Sequence, residues 1–434
     1  MATEQLLLLL GKGPADVATV QTGGYRQATY FRSEYPGENV QTPFVGEALA
    51  SLYPDRFDTI HILGTPDAMW DVLLQHYDGT LEDEQLIEQL LALEDQQPTA
   101  LPSPLRDRIQ HAVGVAFDTR IETHLIPIGT SPAAYWDILE RLTALNITGG
   151  AVSIDITHSL RSHPLFLLLA LVYLRSLHSS LELGSVFYGA LALTNKYFDG
   201  KTPIFDLRPM VKLLDWTEAA TAFERYGDAA PIARLIQSGD AFEDLAKRAT
   251  FVSQVLQLNT LSRVQTNTHK LIGLLDAVED EASPLLAMIR PKLRALPQAL
   301  QGVPRWQAML TVARQHWTSY RAGSAVLALW EAIIDRLALA YDLLDADPTK
   351  TYRALRPIAC GQGTTRWFQQ QGLGRFPKRA EQLREYRNGI AHPREQDYEP
   401  PEVYDHFPGL LSYFEEHLGS VVLDRLPDDK PVSL

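Results

Sequence analysis

The sequence predicts an α/β half followed by an all-helical half. Three observations carry this expectation. Apolar strand-like runs alternate with helical patterns up to about Val211, helical periodicity alone continues beyond it, and 45% hydrophobic with 21% charged residues is an ordinary globular composition. At roughly 150 residues per domain, 434 residues suggest two or three domains. They read as an α/β domain at 1–210, a helical connector at 211–301 and a helical domain at 302–434.

In the first half the candidate strands are Gln5–Leu10, Asp58–Leu63, Ile121–Ile126, Ala151–Ile156 and Ser185–Ala190. Helical patterns lie between them at Val45–Tyr53, Asp67–Tyr77, Glu82–Glu94, Pro104–Val113, Ala133–Leu145 and Leu165–Leu177. Nearly continuous apolar strands fit a parallel sheet covered on both faces, a Rossmann-like layered domain. In the second half Pro231, Pro284, Pro291, Pro297 and Pro304 read as helix breaks. The clearest helix there is Ala325–Leu344, where Val326, Leu329, Ile333, Leu337 and Ala340 form one buried stripe.

A single cysteine, Cys360, excludes an internal disulfide and a Cys-rich zinc site, which makes a reducing cytoplasm the expected compartment. The run Leu6–Leu10 follows Glu4, not a basic segment, so it reads as a buried strand rather than a signal peptide. Leu165–Leu174, the longest apolar stretch, is far short of the roughly 20 residues a bilayer span needs, so no membrane partner is expected.

Net charge is −14, which by itself argues against nucleic acid. Its distribution argues the other way. Between Lys350 and Arg394 ten Lys or Arg residues face only Glu381 and Glu385, a local charge of +8. Trp367, Phe368, Phe376 and Tyr386 interleave with them, the pattern expected where single-stranded bases stack, and Arg375, Lys378, Arg379 and Arg384 are the candidate RNA contacts. A solvated basic helix face is the alternative.

Three segments follow predicted strands, where open α/β sheets bind ligands: Gly11-Lys12-Gly13, Gly64-Thr65-Pro66, and Asp155-Ile156-Thr157-His158-Ser159-Leu160-Arg161. Small residues let backbone N–H groups approach phosphate oxygens, and Lys12 and Arg161 add full charge, so a phosphate ester is the expected ligand. The plainer alternative has Thr157 or Ser159 capping the next helix. Asp16 stands where a dinucleotide fingerprint needs its third glycine, and neither a phosphate-loop motif nor a serine-nucleophile elbow occurs. His158 and His163 lack a metal-ligand helix spacing, and no metal or other cofactor is expected.

The candidate catalytic motif is Arg387-Asn388-Gly389-Ile390-Ala391-His392. Similar Arg–His spacings start at Arg56, Arg106 and Arg263, so spacing alone proves nothing. Arg387 lies in the basic cluster, Asn388 can bond the imidazole or the substrate, and Gly389 and Pro393 mark a helix end. Histidine near its own pKa can move the ribose 2′-OH proton, and arginine can stabilise charge on a phosphorane without a metal. A helix-terminal His and Arg serving backbone carbonyls is the structural alternative.

These residues resemble CRISPR-associated accessory ribonucleases with an N-terminal CARF sensor and a C-terminal HEPN domain. The likeness rests on Leu8-Leu9-Leu10-Gly11-Lys12-Gly13, on Tyr25-Arg26-Gln27-Ala28-Thr29-Tyr30, and on Leu63-Gly64-Thr65 with Ala68-Met69-Trp70. Asp155–Arg161 with Pro164, and Arg387-Asn388 with His392-Pro393, complete it. The resemblance implies a homodimer or higher homo-oligomer whose sensor binds cyclic oligoadenylate as an allosteric activator and whose helical domain cuts single-stranded RNA. Gly11, Lys12, Gly13, Tyr25, Tyr30, Gly64, Thr65, Asp155, Thr157, His158, Ser159 and Arg161 would contact the ring, with Arg387, Asn388 and His392 catalytic. Two rivals stay open: a ligand-gated nucleic-acid-binding regulator that does not cut, and a sensor that also degrades its own ligand.

Overall fold

A computed structural model describes residues 4–12, 27–79, 83–145, 147, 149–236, 243–260, 263–279, 283–344, 346–391 and 400–421. The chain divides into two compact units, Met1–Lys212 and Leu213–Leu434.

The first unit is built on an eight-stranded sheet of order β3-β2-β8-β7-β6-β1-β4-β5. The strands are β1 Glu4–Leu10, β2 Ala28–Arg32, β3 Tyr35–Thr42, β4 Thr59–Gly64, β5 Arg120–Leu125, β6 Gly150–Asp155, β7 Leu181–Gly189 and β8 Lys201–Asp206. Strands β7, β6, β1, β4 and β5 are mutually parallel, as the sequence leads one to expect. The whole sheet is mixed rather than parallel, because β8 runs antiparallel to β7 and β3 antiparallel to β2. These added strands escaped the sequence pattern for physical reasons. β3 is the almost entirely exposed edge strand and carries Pro36 and Gly37, while β8 is paired on both sides but is short and contains Pro203, a residue that reads as a break in a strand pattern.

The leucine run of β1 explains itself in this sheet. Leu6, Leu8 and Leu10 enter one core with Ile60 and Ile62, while Leu7 and Leu9 enter another with Leu63, Val152 and Ile154. Helices α1 Val45–Leu52, α2 Trp70–Asp78, α3 Glu84–Gln96 and α4 Ser103–Phe117 supply residues to the first core. Helices α5 Pro132–Thr143 and α6 Ser162–Leu177 cover the second. A short turn of helix, α7 Thr194–Tyr197, follows β7. Asp83 caps α3 by accepting from the Gln85 and Leu86 amides, and Ser131 caps α5 by accepting from Ala134.

The division between units falls inside α8 Arg208–Tyr226. Then come α9 Ala230–Ile236, α10 Glu243–Gln257, α11 Val264–Asp276, α12 Pro284–Ala299, α13 Arg305–Thr318 and α14 Ala322–Ala340. The last four are α15 Pro348–Ala359, α16 Thr365–Gln370, α17 Phe376–Ala391 and α18 Pro400–His417. No strand occurs among the described residues of this unit. One apolar core runs from Trp216 to Val421 through both the connector and the C-terminal helices. Pro284 and Pro304 mark helix starts, but Pro291 and Pro297 lie inside α12, which is not broken there. Leu286, Ile289, Leu293 and Leu296 continue its buried stripe past both prolines, and that packing offsets the lost backbone bonds.

Helix α14 is the centre of the second unit, with Val326, Leu329, Ile333 and Leu337 fully buried. The guanidinium of Arg336 donates to the carbonyls of Leu418, Gly419 and Val421, tying the end of the described chain to this helix.

Candidate functional site

Chain order in the sheet reverses direction around β1: β4 and β5 lie on one side, β6 and β7 on the other. The crevice beyond the carboxyl ends of β1 and β6 is therefore a topological switch point. All three sequence-singled loops meet there. A Cβ on Gly11 would fall 2.7 Å from the Ser159 backbone nitrogen, so only glycine lets the β1 loop lie against the β6 loop. The Met69 amide donates to the Gly11 carbonyl at 3.2 Å, and Lys12 Nζ lies 3.4 Å from Asp67 and 3.5 Å from Glu94. Gly64 serves its own loop differently: an added Cβ would be 2.6 Å from the Trp70 ring, whose indole N–H donates to the Thr65 carbonyl at 2.9 Å. The Thr65 hydroxyl is buried and donates to Asp67.

Asp155 closes β6 and is fully buried. Its Oδ1 accepts from the Thr157 amide at 3.2 Å and from the Thr157 hydroxyl at 2.5 Å, and that hydroxyl accepts from the Gly189 amide at 2.7 Å. Oδ2 has no hydrogen-bond partner. Burial pushes the Asp155 carboxyl up to about 7, against the lowering effect of the Thr157 bonds. It and His158 border a cavity of about 30 Å³ with Leu8, Leu10, Phe44 and Ile62. Burial pulls His158 down to about 4, which keeps its ring neutral. Tyr30 is buried beside Gly189 and Thr157, its phenol pKa raised by burial and by the Asp155 charge.

Ser159 has a φ of +81°, a left-handed conformation unusual for serine. Its hydroxyl lies 2.6 Å from His163 Nδ1, while His163 Nε2 donates to the Ile128 carbonyl at 3.2 Å. That donation puts the hydrogen on Nε2, so Nδ1 accepts from Ser159. His163 is four residues after Ser159 and holds this loop, and that i,i+4 spacing is the signal for it in the sequence. Arg161 is exposed at the start of α6. Gly13 and Tyr25 lie outside the described residues.

In the second unit, Arg387 and Asn388 occupy the last turns of α17, and His392 lies outside the described residues. Arg387 is half-buried, its guanidinium 5.5 Å from the centre of the Tyr352 ring and its Nη1 3.4 Å from Asn388 Oδ1. Glu331 of α14 feels the Arg387 charge, which lowers its carboxyl pKa against a larger rise from burial. Glu331 escaped the sequence analysis because it is 56 positions away, with no local signal linking the two.

Arg375, Lys378 and Arg379 line a groove of about 1170 Å³ between α17 and α18, with Glu385, Asp405 and His406 also on its walls. Arg384 is held by Glu381 on its own helix. The interleaved aromatics are not available for stacking on bases. Trp367, Phe368, Phe376 and Tyr386 are all buried in the helical core, with Phe368 and Phe376 stacked at 4.5 Å. Their spacing reflects helix faces turned inward, since one apolar stripe and one basic stripe alternate along the same helices. The Cys360 thiol is pushed up to about 12 by burial and by Glu381, so it is no nucleophile.

Of the other Arg–His spacings, Arg56 is engaged with Glu4 and Ser185, and His61 lies within β4. No helix among the described residues is long and apolar enough to cross a membrane.

Comparison with known proteins adds two findings. Residues 212–302 match the family described as "CRISPR-associated protein MJ1674, second domain". The chain is also similar to the CRISPR-associated protein MJ1674 of Methanocaldococcus jannaschii, at 23% identity over 403 residues, covering 87% of this chain and 61% of the relative. Both likenesses support a CRISPR-related role. The chain thus spans under two thirds of the length of that curated relative. The matched family segment corresponds to α8–α12, the helices for which the sequence alone offered no motif.

Proposed function

We propose that the chain is a cyclic-oligoadenylate-activated, metal-independent endoribonuclease acting on single-stranded RNA in CRISPR defence. The observation that carries this reading is the convergence of the β1, β4 and β6 loops at the switch point, where Gly11 lies against the Ser159 backbone. Glycine at position 11 lets the two loops pack backbone against backbone at the crevice, and Lys12, which neighbours Asp67 and Glu94, and Arg161 are the exposed cations these loops carry.

In the proposed reaction, His392 removes the ribose 2′-OH proton, the oxygen attacks the adjacent phosphorus, and Arg387 stabilises the phosphorane charge. A second histidine, from a partner copy and in its imidazolium form, donates its proton to the leaving 5′ oxygen as the P–O5′ bond breaks, which yields a 2′,3′-cyclic phosphate. Asn388 positions the Arg387 guanidinium through its Oδ1. Arg375, Lys378 and Arg379 are the groove cations available for the RNA backbone.

A homodimer is supported by α6. Leu167, Ala170, Leu171 and Leu174 face the core, yet Leu165, Leu169, Val172 and Tyr173 are exposed on the outer side. A helix apolar all round calls for a second covering surface, and this one begins next to Arg161. Ligand and activity are coupled only if the ring binds one dimer arrangement better than another.

Labelled RNA incubated with a panel of cyclic oligoadenylates tests the reading. One ring size should raise the melting temperature and trigger cleavage to 2′,3′-cyclic ends, and Arg387→Ala should lose cleavage while keeping the thermal shift. If no ring shifts melting, the sensor assignment fails. Retarded but uncut RNA favours a ligand-gated regulator, a reading that the half-burial of Arg387 against Tyr352 also favours.

A further inference from the structure

Away from the loop crevice, β4 and β5 pair with His61 opposite Glu122. Glu122 and His124 are two residues apart on one strand, so their side chains leave the same face. His61 Nδ1 lies 3.1 Å from His124 Nε2 and 3.5 Å from Glu122 Oε2, and His124 Nε2 lies 3.9 Å from that oxygen. The point equidistant from all three is about 2.05 Å from each, the length of a Zn–N or Zn–O bond. A cation about 0.5 Å out of that plane keeps every bond near 2.1 Å and has a fourth position for water.

The surrounding groups are arranged to support this geometry. His61 Nε2 lies 3.0 Å from Gln5 Oε1 on β1, and an amide oxygen only accepts. Nε2 therefore carries the hydrogen, and the Nδ1 lone pair faces His124 and Glu122. The other Glu122 oxygen accepts from Arg120 at 2.6 Å, which fixes the carboxylate. Metal-bound histidines and carboxylates recruit outer partners of this kind. A simple hydrogen bond between the two rings accounts for less: it leaves Glu122 Oε2 aimed at both rings at distances too long for good hydrogen bonds. The His61 side chain is 3% exposed, whereas Glu122 and His124 keep 27% and 29%, an entry path for an ion.

We propose that His61, Glu122 and His124 form a site for one divalent transition-metal ion, best suited to Zn²⁺, that ties the edge strand β5 to β4. No helical His–His spacing announces it in the sequence, because Glu122-Thr123-His124 presents its ligands along a strand and His61 comes from the neighbouring strand. The proposal is independent of ring binding and RNA cleavage.

The test uses the full chain, stripped with chelator and titrated with Co²⁺, whose visible absorption reports coordination, and then with Zn²⁺. Wild type should bind one Co²⁺ per chain, release it to Zn²⁺ and melt at a higher temperature when loaded. His124→Ala and Glu122→Gln, both at half-exposed positions, should weaken binding at least a hundredfold while matching the stripped wild type in circular dichroism. Gln5→Ala, which touches no metal, should weaken it roughly 10- to 100-fold. Substoichiometric binding by wild type overturns the proposal, as does affinity within twofold of wild type in both ligand variants. If a ligand variant does not fold, the Gln5→Ala result decides in the same way.

Discussion

Asp155→Asn should flatten the pH dependence of stability of the amino-terminal unit. In the folded chain burial holds the Asp155 carboxyl at about 7, up from its ordinary 3.8. Between those pH values the native state keeps a proton that the unfolded chain has released, so the unfolded chain binds fewer protons and stability falls as pH rises. The contribution of this carboxyl is thus complete below about pH 4 and lost as pH climbs through 7. At 1.36 kcal/mol for each tenfold change, the loss between pH 5 and pH 8 is about 3 kcal/mol. Asparagine does not titrate and keeps an Oδ1 acceptor for Thr157, so D155N should lack this slope and gain on wild type toward alkaline pH. Hydrogen exchange of the β1 and β6 amides, measured at pH 5, 6, 7 and 8 and corrected for intrinsic rates, reads this unit separately from the helical one. Parallel pH profiles for the two proteins would refute the reasoning, because they would mean that the carboxyl is ionised in the folded state throughout.

Three further outcomes are expected. Gly11→Ala places a methyl 2.7 Å from the Ser159 nitrogen; the resulting strain of about 1–3 kcal/mol should weaken ring binding roughly 5- to 150-fold by calorimetry, and unchanged affinity would detach this loop from the ligand. Arg375→Ala with Lys378→Ala should lower the slope of log affinity for single-stranded RNA against log salt by about 1.4, as read by fluorescence anisotropy across a salt series; an unaltered slope would place the RNA elsewhere. Phe376→Ala should cost the helical unit about 3–5 kcal/mol in urea unfolding while leaving that salt slope untouched, since its ring is fully buried.

What the sequence disclosed follows from where each signal is written. The inner parallel strands β1 and β6 announced themselves because both of their faces are buried, which demands apolar runs such as Leu6–Leu10. The edge strand β5 was legible instead through its alternation of buried Ile121, Thr123 and Leu125 with more exposed Arg120, Glu122 and His124. Strand β3 has one of its eight residues buried, so its composition is set by solvent and its partner, and no local pattern distinguishes it from a loop. The loop motifs were legible because close backbone approach demands small residues at fixed places, Gly11 above all. Lys12 was legible as a cation, but its partners Asp67 and Glu94 are 55 and 82 positions away and only the fold unites them. The aromatics of Lys350–Arg394 misled for a related reason. Composition reports that rings and cations alternate along the chain, whereas exposure depends on which side of a helix each occupies.

The pairing of Lys12 with Asp67 and Glu94 bears on selectivity at the crevice. An approaching anion meets an ammonium group that already has two carboxylate neighbours, and those neighbours repel the newcomer. Being exposed, each contact is worth under about 1 kcal/mol, so the obstacle is small against a polyanion but comparable to the gain from a solitary inorganic ion. For the proposed cyclic oligoadenylate, such an arrangement would filter by valence, discouraging background salt while admitting a guest that brings several negative charges at once.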